Sequence, residues 1–290
     1  MVNSYKYLGF LLTTQLSFNI ACDEFASKAK GKVLDIIKTM WCIGSLNTYV
    51  FFRFFDSQVK PMLLYASEIW GLSRVANIES AHLFAIKRLL SVSDKTPNTM
   101  IYGESGRHPL YVHSTISAMK YWLKLLRMSE SRIPKRCLLQ MTRALDRNGR
   151  CFMPYWVQGI RDCLIKHGFD DVWHNQGVQN EAAFLRQLKT KLIDEFNTEW
   201  YQKMLNSDRF AFYRSFKERP FIESYLNDIT IKRFRDVLIR FRLGINELKA
   251  NKRFHTDNDF SKSCPFCPNT LENEMKHILF LFVQSIMICG

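Results

Sequence analysis

Apolar residues recur at intervals of three and four positions along most of this chain, and this periodicity constrains the fold more than any other feature. Side chains at that spacing lie on one face of an α-helix, which they bury by packing against other elements. The series are Phe25, Ala29, Val33, Ile36, Ile37 and Met40; Phe51, Phe54, Phe55, Val59, Met62 and Leu63; Ile78, Ala81, Ala85 and Leu89; Ile116, Met119, Leu123 and Leu126; Leu188, Leu192, Phe196, Trp200 and Met204; and Ile231, Phe234, Leu238, Phe241 and Ile245. The sequence therefore predicts a mainly α-helical protein.

Breaks in the periodicity predict where helices end. Pro61 lies inside the second series and is expected to kink or split that helix, because proline lacks the N–H that a helix interior uses. Turn-forming residues at 93–98 mark a boundary after the third series, and Gly244 marks a helix end or bend. The first three helices, with short connections, predict an antiparallel bundle over residues 20–92.

The N-terminal segment has a different pattern, and its residues from Tyr5 to Leu12 predict a short strand or hairpin arm. No basic region followed by a long apolar run precedes it, and no apolar stretch reaches the roughly 18 residues of a membrane-spanning helix. We therefore expect an intracellular protein of the nucleus or cytoplasm that is not secreted and does not enter a membrane. Its eight cysteines are expected as reduced thiols.

An excess of basic residues points to an anionic partner. The chain has 41 Lys and Arg against 27 Asp and Glu, a formal net charge of +14. Hydrophobic residues make up 47% of it, which argues against a disordered chain. Nucleic acid, RNA or DNA, is the first partner that this charge indicates, and an acidic membrane surface is the second. Charge alone does not choose between them.

Two segments concentrate the positive charge. Residues 119–143 carry seven basic side chains against Glu130 alone, and residues 231–253 carry eight against two acidic ones. In the second segment, helix geometry places Arg233 and Arg240 opposite the apolar series, where they can reach phosphates. The candidate phosphate-contacting residues are Lys232, Arg233, Arg240 and Arg242. Such binding would be weakened by salt, since it releases counterions. The alternative is a basic face that is merely solvated.

A Cys-Pro-Phe-Cys motif near the C-terminus predicts a metal site. Cys264 and Cys267 have the spacing at which two thiolates bind one ion through a tight turn, and His277 follows as a third ligand. Cys289 and water are the candidates for a fourth ligand of zinc. Two free cysteines in a loop, or a remnant with three ligands, are the alternatives.

Elsewhere the residues indicate no catalytic centre. Asp170 and Asp171 form the kind of carboxylate pair that binds two metal ions in polymerases, but Gly168 stands where a polymerase has an aromatic residue. We interpret the pair as an exposed turn and helix cap. The histidines have no neighbouring Ser or Cys in a nucleophile motif, and no glycine-rich phosphate loop is found.

Five motifs follow one another along nearly the whole chain. They are Tyr5-Lys6-Tyr7-Leu8-Gly9; the eleven residues from Pro61 to Gly71, PMLLYASEIWG; the nine from Tyr102 to Leu110, YGESGRHPL; Arg240-Phe241-Arg242-Leu243-Gly244; and Cys264-Pro265-Phe266-Cys267 with Glu274 and His277. In this order they resemble the part of LINE-type non-LTR retrotransposon reverse transcriptases that lies downstream of the palm.

The resemblance implies nucleic-acid handling. In that family the Tyr-Leu-Gly segment closes the palm beside the primer, the following helices form the thumb, and a C-terminal Cys/His cluster is a zinc knuckle. The resemblance implies that Tyr7, Leu8 and Gly9 are primer-grip remnants and that Cys264, Cys267 and His277 are three knuckle ligands. The position expected for the last knuckle cysteine is near Phe282.

The resemblance also implies an organisation in three regions. A primer-grip remnant with a thumb-like helical bundle is expected over residues 1–92, a helical connector with the basic segments over 93–255, and a degenerate zinc-knuckle-like tail over 256–290. The Tyr-x-Asp-Asp carboxylates of the palm are absent from this chain. We therefore expect a non-catalytic C-terminal fragment, not an enzyme, that retains binding to RNA or DNA backbones and can pair with a palm in a longer product. The alternative is an inert transposon relic or a helical protein-interaction module.

Overall fold

The computed structural model describes residues 4–14, 18–43, 47–73, 75–146 and 155–245. Within these ranges the protein is mainly helical, with a two-stranded antiparallel hairpin near the N-terminus, which confirms the predicted fold class. The strands are β1 (Ser4–Tyr7) and β2 (Phe10–Thr13). The helices are α1 (Asn19–Cys42), α2 (Thr48–Phe54), α3 (Lys60–Leu63), α4 (Ser67–Trp70), α5 (Ala76–Leu89), α6 (Asn98–Ser105), α7 (Leu110–Leu126), α8 (Ile133–Asp146), α9 (Tyr155–Lys166), α10 (Asp170–His174), α11 (Glu181–Leu205), α12 (Ala211–Arg214), α13 (Tyr225–Asp228) and α14 (Lys232–Arg242), with a π-helical turn at Phe55–Val59 and a 3-10 turn at Asp208–Phe210.

The hairpin turns at Leu8 and Gly9, whose φ angles are +47° and +83°. Positive φ at both central residues is typical of two-residue loops that match the twist of paired strands, and glycine adopts it without strain. Tyr7 of β1 pairs with Phe10 of β2. Phe10 is buried, with its ring centroid 5.8 Å from that of Phe25, so the hairpin is fastened to α1 through β2.

The first helices form where the apolar periodicity predicts them. α1 packs along α5, and every member of its predicted apolar series is buried. The kink or split predicted at Pro61 takes the form of a π-helical turn directly before it, and the backbone stays helical from α2 to α3. The helix that begins with α2 passes into the π-helical turn, and Pro61 lies at the start of α3, where the missing N–H costs little.

The end of α4 approaches α7 so closely that only glycine fits at position 71. A Cβ there would lie 2.6 Å from the Ser114 carbonyl oxygen, and closer still to that of Ser67. Ser114 donates its hydroxyl to the Gly71 carbonyl oxygen at 2.8 Å. This contact joins α4 to α7 across the boundary predicted between residues 92 and 93.

A second apolar core lies among α7, α8, α9, α10 and α11. Trp122 of α7 is completely buried and stacks on Trp173 of α10, with ring centroids 6.2 Å apart. Apolar side chains of the neighbouring helices complete this core: Leu138, Leu145, Val157, Ile160, Leu164, Phe184, Leu188 and Leu192. The basic segment 119–143 therefore belongs to helices whose inner faces are fixed by this core.

The chain divides into two compact units, residues 1–232 and 233–290. The described part of the first unit contains the hairpin and α1 to α13, and that of the second unit runs from Arg233 to residue 245. The predicted tail, residues 256–290, lies outside the described residues. The three-region organisation stays a prediction.

Candidate nucleic-acid interface

The basic segment 119–143 forms the solvent side of α7 and α8. On α7 and directly after it, Lys120, Lys124 and Arg127 are exposed and follow one another at intervals of four and three. Residues at this spacing share one face of a helix. Trp122 and Leu123, on the other side, are buried in the core. The three cations therefore form one row facing solvent.

A second row consists of Arg132, directly before α8, and of Arg136 and Arg143 on α8, and all three are exposed. They lie on the face opposite Leu138 and Leu145, which are buried. α8 packs against α7, so the two rows belong to neighbouring helices. The name α7–α8 basic surface is used below for six residues: Lys120, Lys124, Arg127, Arg132, Arg136 and Arg143.

Little negative charge offsets this surface. Arg127 Nε lies 3.2 Å from Glu181 Oε1, but the arginine side chain is 67% exposed, and such pairs are worth at most about 1 kcal/mol. Within the described ranges, the other five cations of the surface make no ion pair. Because like charges at helical spacing repel one another, a polyanion that binds along the surface would remove this repulsion.

Lys135 differs from its neighbours in the same basic segment. Its side chain is buried, and Nζ donates a hydrogen bond to the Leu126 carbonyl oxygen at 2.7 Å. This bond satisfies one of the carbonyl groups at the C-terminal end of α7. Lys135 therefore stabilises the contact between α7 and α8, and its ammonium group is not available to bind a phosphate.

The candidate residues of α14 are only partly placed as the sequence predicts. Arg233 and Arg240 are exposed as expected, whereas Arg242 is half-buried. The most buried residues are Arg235 and Ile239, at 2% and 0% exposure. The buried face is thus offset from the predicted apolar series by one residue, about 100° around the helix.

Lys232, the last residue of the first unit, lies beside an exposed indole. Its Nζ donates a hydrogen bond to Ser91 Oγ at 2.8 Å and lies 5.9 Å from the centre of the Trp41 ring. Trp41 is 60% exposed. An exposed aromatic ring next to a cation can stack on a base while the cation contacts a phosphate. The structure therefore adds Trp41 to the candidates. Sequence reasoning missed it, because it lies outside both basic segments.

Tyr7 and Gly9 lie far from Lys232. The hairpin that contains them packs on Phe25 near the start of α1, whereas Trp41 lies at its end. The 16 residues between these positions correspond to about 24 Å along the helix. Tyr7 is 57% exposed, and Gly9 supplies the turn. The structure does not bring these two predicted residues together with Lys232.

The predicted zinc ligands Cys264, Cys267 and His277 lie outside the described residues, so zinc binding stays a prediction. In the part of the chain that the structure describes, no group of three or more His, Cys, Asp and Glu could hold a metal ion. Asp170 and Asp171 are exposed, as expected, but they lie inside the first turn of α10. The interpretation of the pair as a helix cap is wrong, because the N-cap residue is Phe169.

The structure brings together a thiol and an imidazole that sequence reasoning did not connect. Cys163 Sγ lies 3.8 Å from His167 Nδ1, and His167 Nε2 lies 3.0 Å from Glu195 Oε2. Nδ1 is also 2.7 Å from the Cys163 carbonyl oxygen, to which it must donate, so it cannot accept the thiol proton. Burial raises the pKa of the Cys163 thiol to about 11. This arrangement stabilises α9 against α11 and does not activate a nucleophile.

A half-buried carboxylate was also missed. Glu79 of α5 accepts hydrogen bonds from the hydroxyl of Tyr102, from the Leu110 N–H at 2.7 Å and from His82 Nδ1 at 2.8 Å. Burial acts to raise the pKa of this carboxyl, but the hydrogen bonds outweigh it and hold the pKa below its usual range. Two of the partners belong to the motif from Tyr102 to Leu110, which therefore fixes α6 and α7 to α5.

None of the helices in the described ranges combines the length and the apolar character needed to cross a membrane. Comparison of the chain with models of protein families, with curated proteins and with solved structures found no match. The resemblance to LINE-type reverse transcriptases therefore depends on the motifs quoted for it and stays a hypothesis.

Proposed function

We propose that this chain binds the phosphate backbone of RNA or DNA through the α7–α8 basic surface, as a non-catalytic part of a LINE-type reverse transcriptase. The observation that supports the proposal is the pair of exposed cationic rows on two packed helices, opposed by Glu130 alone within the segment. Phosphate contacts of this kind position a strand without reading its sequence. The expected binding is therefore strong at low salt and tolerant of sequence.

The test replaces the three cations of the second row by neutral side chains, in the variant R132Q/R136Q/R143Q. The plot of log K against log salt has a negative slope, and each lost phosphate contact reduces the magnitude of this slope by about 0.7 to 0.9. We expect the triple variant to bind an RNA–DNA hybrid, a single strand and a duplex more weakly, with a slope shallower by roughly 2. Fluorescence anisotropy over a series of KCl concentrations measures both quantities.

A matched control removes three exposed charges from other elements, in the variant K38Q/R209Q/R219Q. It changes the net charge of the chain by the same amount, so it separates a defined surface from general attraction. Equal losses in the two variants would contradict a site on α7 and α8. Absence of binding by the unmodified chain at low salt would favour the relic or the protein-interaction module.

Arg233 and Arg240 provide a second arm of the same test. Both are exposed on α14, and charge reversal in R233E/R240E should weaken binding and lower the salt slope if that helix contacts the strand. An unchanged affinity would remove α14 from the proposed interface and leave the α7–α8 basic surface to be judged by its own variants.

A further inference from the structure

A cavity of about 200 Å³ lies between α4, α5, α6, α7 and α11, all of them in the first unit. Most of its lining is apolar, and four aromatic side chains contribute to it: Trp70, Tyr102, Tyr111 and Phe196. The cavity is smaller than the roughly 300 to 1,000 Å³ of sites for drug-sized ligands, so it suits a ligand with one ring. It shares no residue with the α7–α8 basic surface.

Direct contacts hold the aromatic side chains in place. Trp70 Nε1 donates a hydrogen bond to the Tyr65 carbonyl oxygen at 2.9 Å. The rings of Tyr102 and Phe196 meet edge to face, with centroids 5.3 Å apart. Because these side chains are buried and already ordered, a ligand that binds among them costs little further side-chain entropy. The faces of aromatic rings carry partial negative charge, so this lining favours a cation.

One carboxylate of the lining, that of Glu79, can accept a further hydrogen bond. Its Oε1 accepts from the Tyr102 hydroxyl and from His82 Nδ1, whereas Oε2 accepts from the Leu110 N–H at 2.7 Å. A carboxylate oxygen has two lone pairs, so within the described ranges Oε2 has one acceptor position left. The Glu79 side chain is 23% exposed and lines the cavity, which leaves it within reach of a ligand there.

The charged groups of the lining leave one negative charge. Lys203 Nζ lies 4.0 Å from Glu199 Oε2, so these two charges offset each other. Burial raises the pKa of Glu79, but its hydrogen bonds outweigh burial and hold the pKa below the usual range, so this carboxyl is ionised at neutral pH. His82 does not cancel the charge. Its Nε2 is buried and has no hydrogen-bond partner among the described residues, so a second proton on the ring would have no acceptor.

We propose that the cavity binds a small organic monocation, an ammonium group attached to a single aromatic ring. The ammonium group donates a hydrogen bond to Glu79 Oε2, and the ring packs among Trp70, Tyr102 and Phe196. An inorganic cation is disfavoured, because Ca²⁺ and Mg²⁺ need about six oxygen ligands and the lining is mostly apolar. The inference does not rest on the proposed function, since it involves neither the basic surface nor a nucleic acid.

Two probes of nearly equal shape test the role of charge on the unmodified chain. Benzylamine carries an ammonium group at neutral pH, and benzyl alcohol is its neutral counterpart. Isothermal titration calorimetry at constant ionic strength measures the Kd of each. We expect saturable binding of benzylamine, with a Kd at least roughly tenfold lower than that of the alcohol. Equal affinities, or no saturable binding of benzylamine at millimolar concentrations, would overturn the proposal.

A pair of variants assigns the binding to this cavity. Ala76 is exposed and lines the cavity, so A76F should fold and should raise the Kd of benzylamine at least roughly tenfold by filling part of the space. S80F is the matched control, because Ser80 is exposed one turn farther along α5 and does not line the cavity. Equal Kd values for the two variants would place the binding elsewhere and overturn the proposal.

The variant E79Q tests the carboxylate. It removes the charge and keeps the size of the side chain, so it should abolish the preference for benzylamine over benzyl alcohol. Circular dichroism checks its fold. A preference that persists in folded E79Q would overturn the proposal. If E79Q does not fold, the two probes on the unmodified chain and the comparison of A76F with S80F decide.

Discussion

Tyr213 donates its phenolic O–H to Glu104 Oε1 at 2.8 Å, and both side chains are completely buried. Tyr225 donates to the other carboxylate oxygen, Oε2. The carboxylate of Glu104 thus joins α6 to α12 and α13, which follow more than a hundred residues later. A charge buried among hydrogen-bond donors is stable only while those donors are present.

Replacement of Glu104 by alanine should strongly destabilise the first unit. The variant E104A leaves two buried tyrosine hydroxyls without this acceptor, and we expect the free energy of unfolding to fall by about 2 to 5 kcal/mol. Urea denaturation followed by circular dichroism measures the change. E218A removes an exposed carboxylate and should change the stability by less than about 0.5 kcal/mol. Equal midpoints for the two variants would show that the buried contact contributes nothing.

Two glycine-to-alanine substitutions are expected to have opposite effects. Gly31 lies within α1 with nothing within 4 Å of its added Cβ, so G31A should stabilise the protein by about 0.5 to 1 kcal/mol through helix propensity. At Gly71 the added Cβ meets the Ser67 and Ser114 carbonyl oxygens, which cannot move independently of their helices. G71A should therefore cost at least about 2 kcal/mol. Thermal unfolding of both variants checks the sign of each effect, and a stabilised G71A would disprove the close approach of α4 and α7.

These positions show how much of the structure the sequence could predict. The inward face of α1 and the break at Pro61 were predictable, because helix periodicity and proline geometry are local properties. The buried role of Glu104 was not, since it depends on tyrosines far away in the sequence. Pairwise contacts of this kind leave no periodic signal.

In the candidate nucleic-acid interface, too, the local features were predictable from the sequence and the contacts between distant residues were not. The exposed row from Lys120 to Arg127 was predictable from charge density and helical spacing. The bidentate contact of Arg107 with Asp56 was not, because the two residues lie 51 positions apart in the sequence. The burial of Lys135 was not predictable either, since charge density does not reveal which lysine of a basic segment is turned inward.

The cysteines should differ widely in their reactivity with iodoacetamide. Cys42 and Cys137 are exposed, whereas burial raises the pKa of the Cys22 and Cys163 thiols to about 11. At pH 8 only about one in a thousand of the latter would be thiolate, the reactive form. Among the four cysteines of the described ranges, we expect mass spectrometry of the native protein to show early labelling of Cys42 and Cys137 and not of Cys22 or Cys163. Early labelling of Cys22 or Cys163 would contradict the packing around them, and the urea-unfolded protein provides the reference for uniform labelling.

The stability of the protein should depend on pH through His113. Burial, Lys60, Lys189 and Arg107 lower the folded-state pKa of His113 to about 3, against the opposing attraction of Asp56. Between this pKa and the unfolded value of 6.5 the unfolded chain binds more protons, so the stability falls as the pH is lowered. We expect His113 to contribute a slope of up to about 1.4 kcal/mol per pH unit over this range.

The variant H113Q tests this dependence. It should reduce the loss of stability between about pH 6 and pH 4, measured by urea denaturation at each pH, because glutamine takes up no proton in the unfolded state. H174Q is the matched control, since it removes one imidazole from an exposed position on α10. If both variants flattened the profile equally, the effect would belong to the number of histidines and not to the three cations around His113.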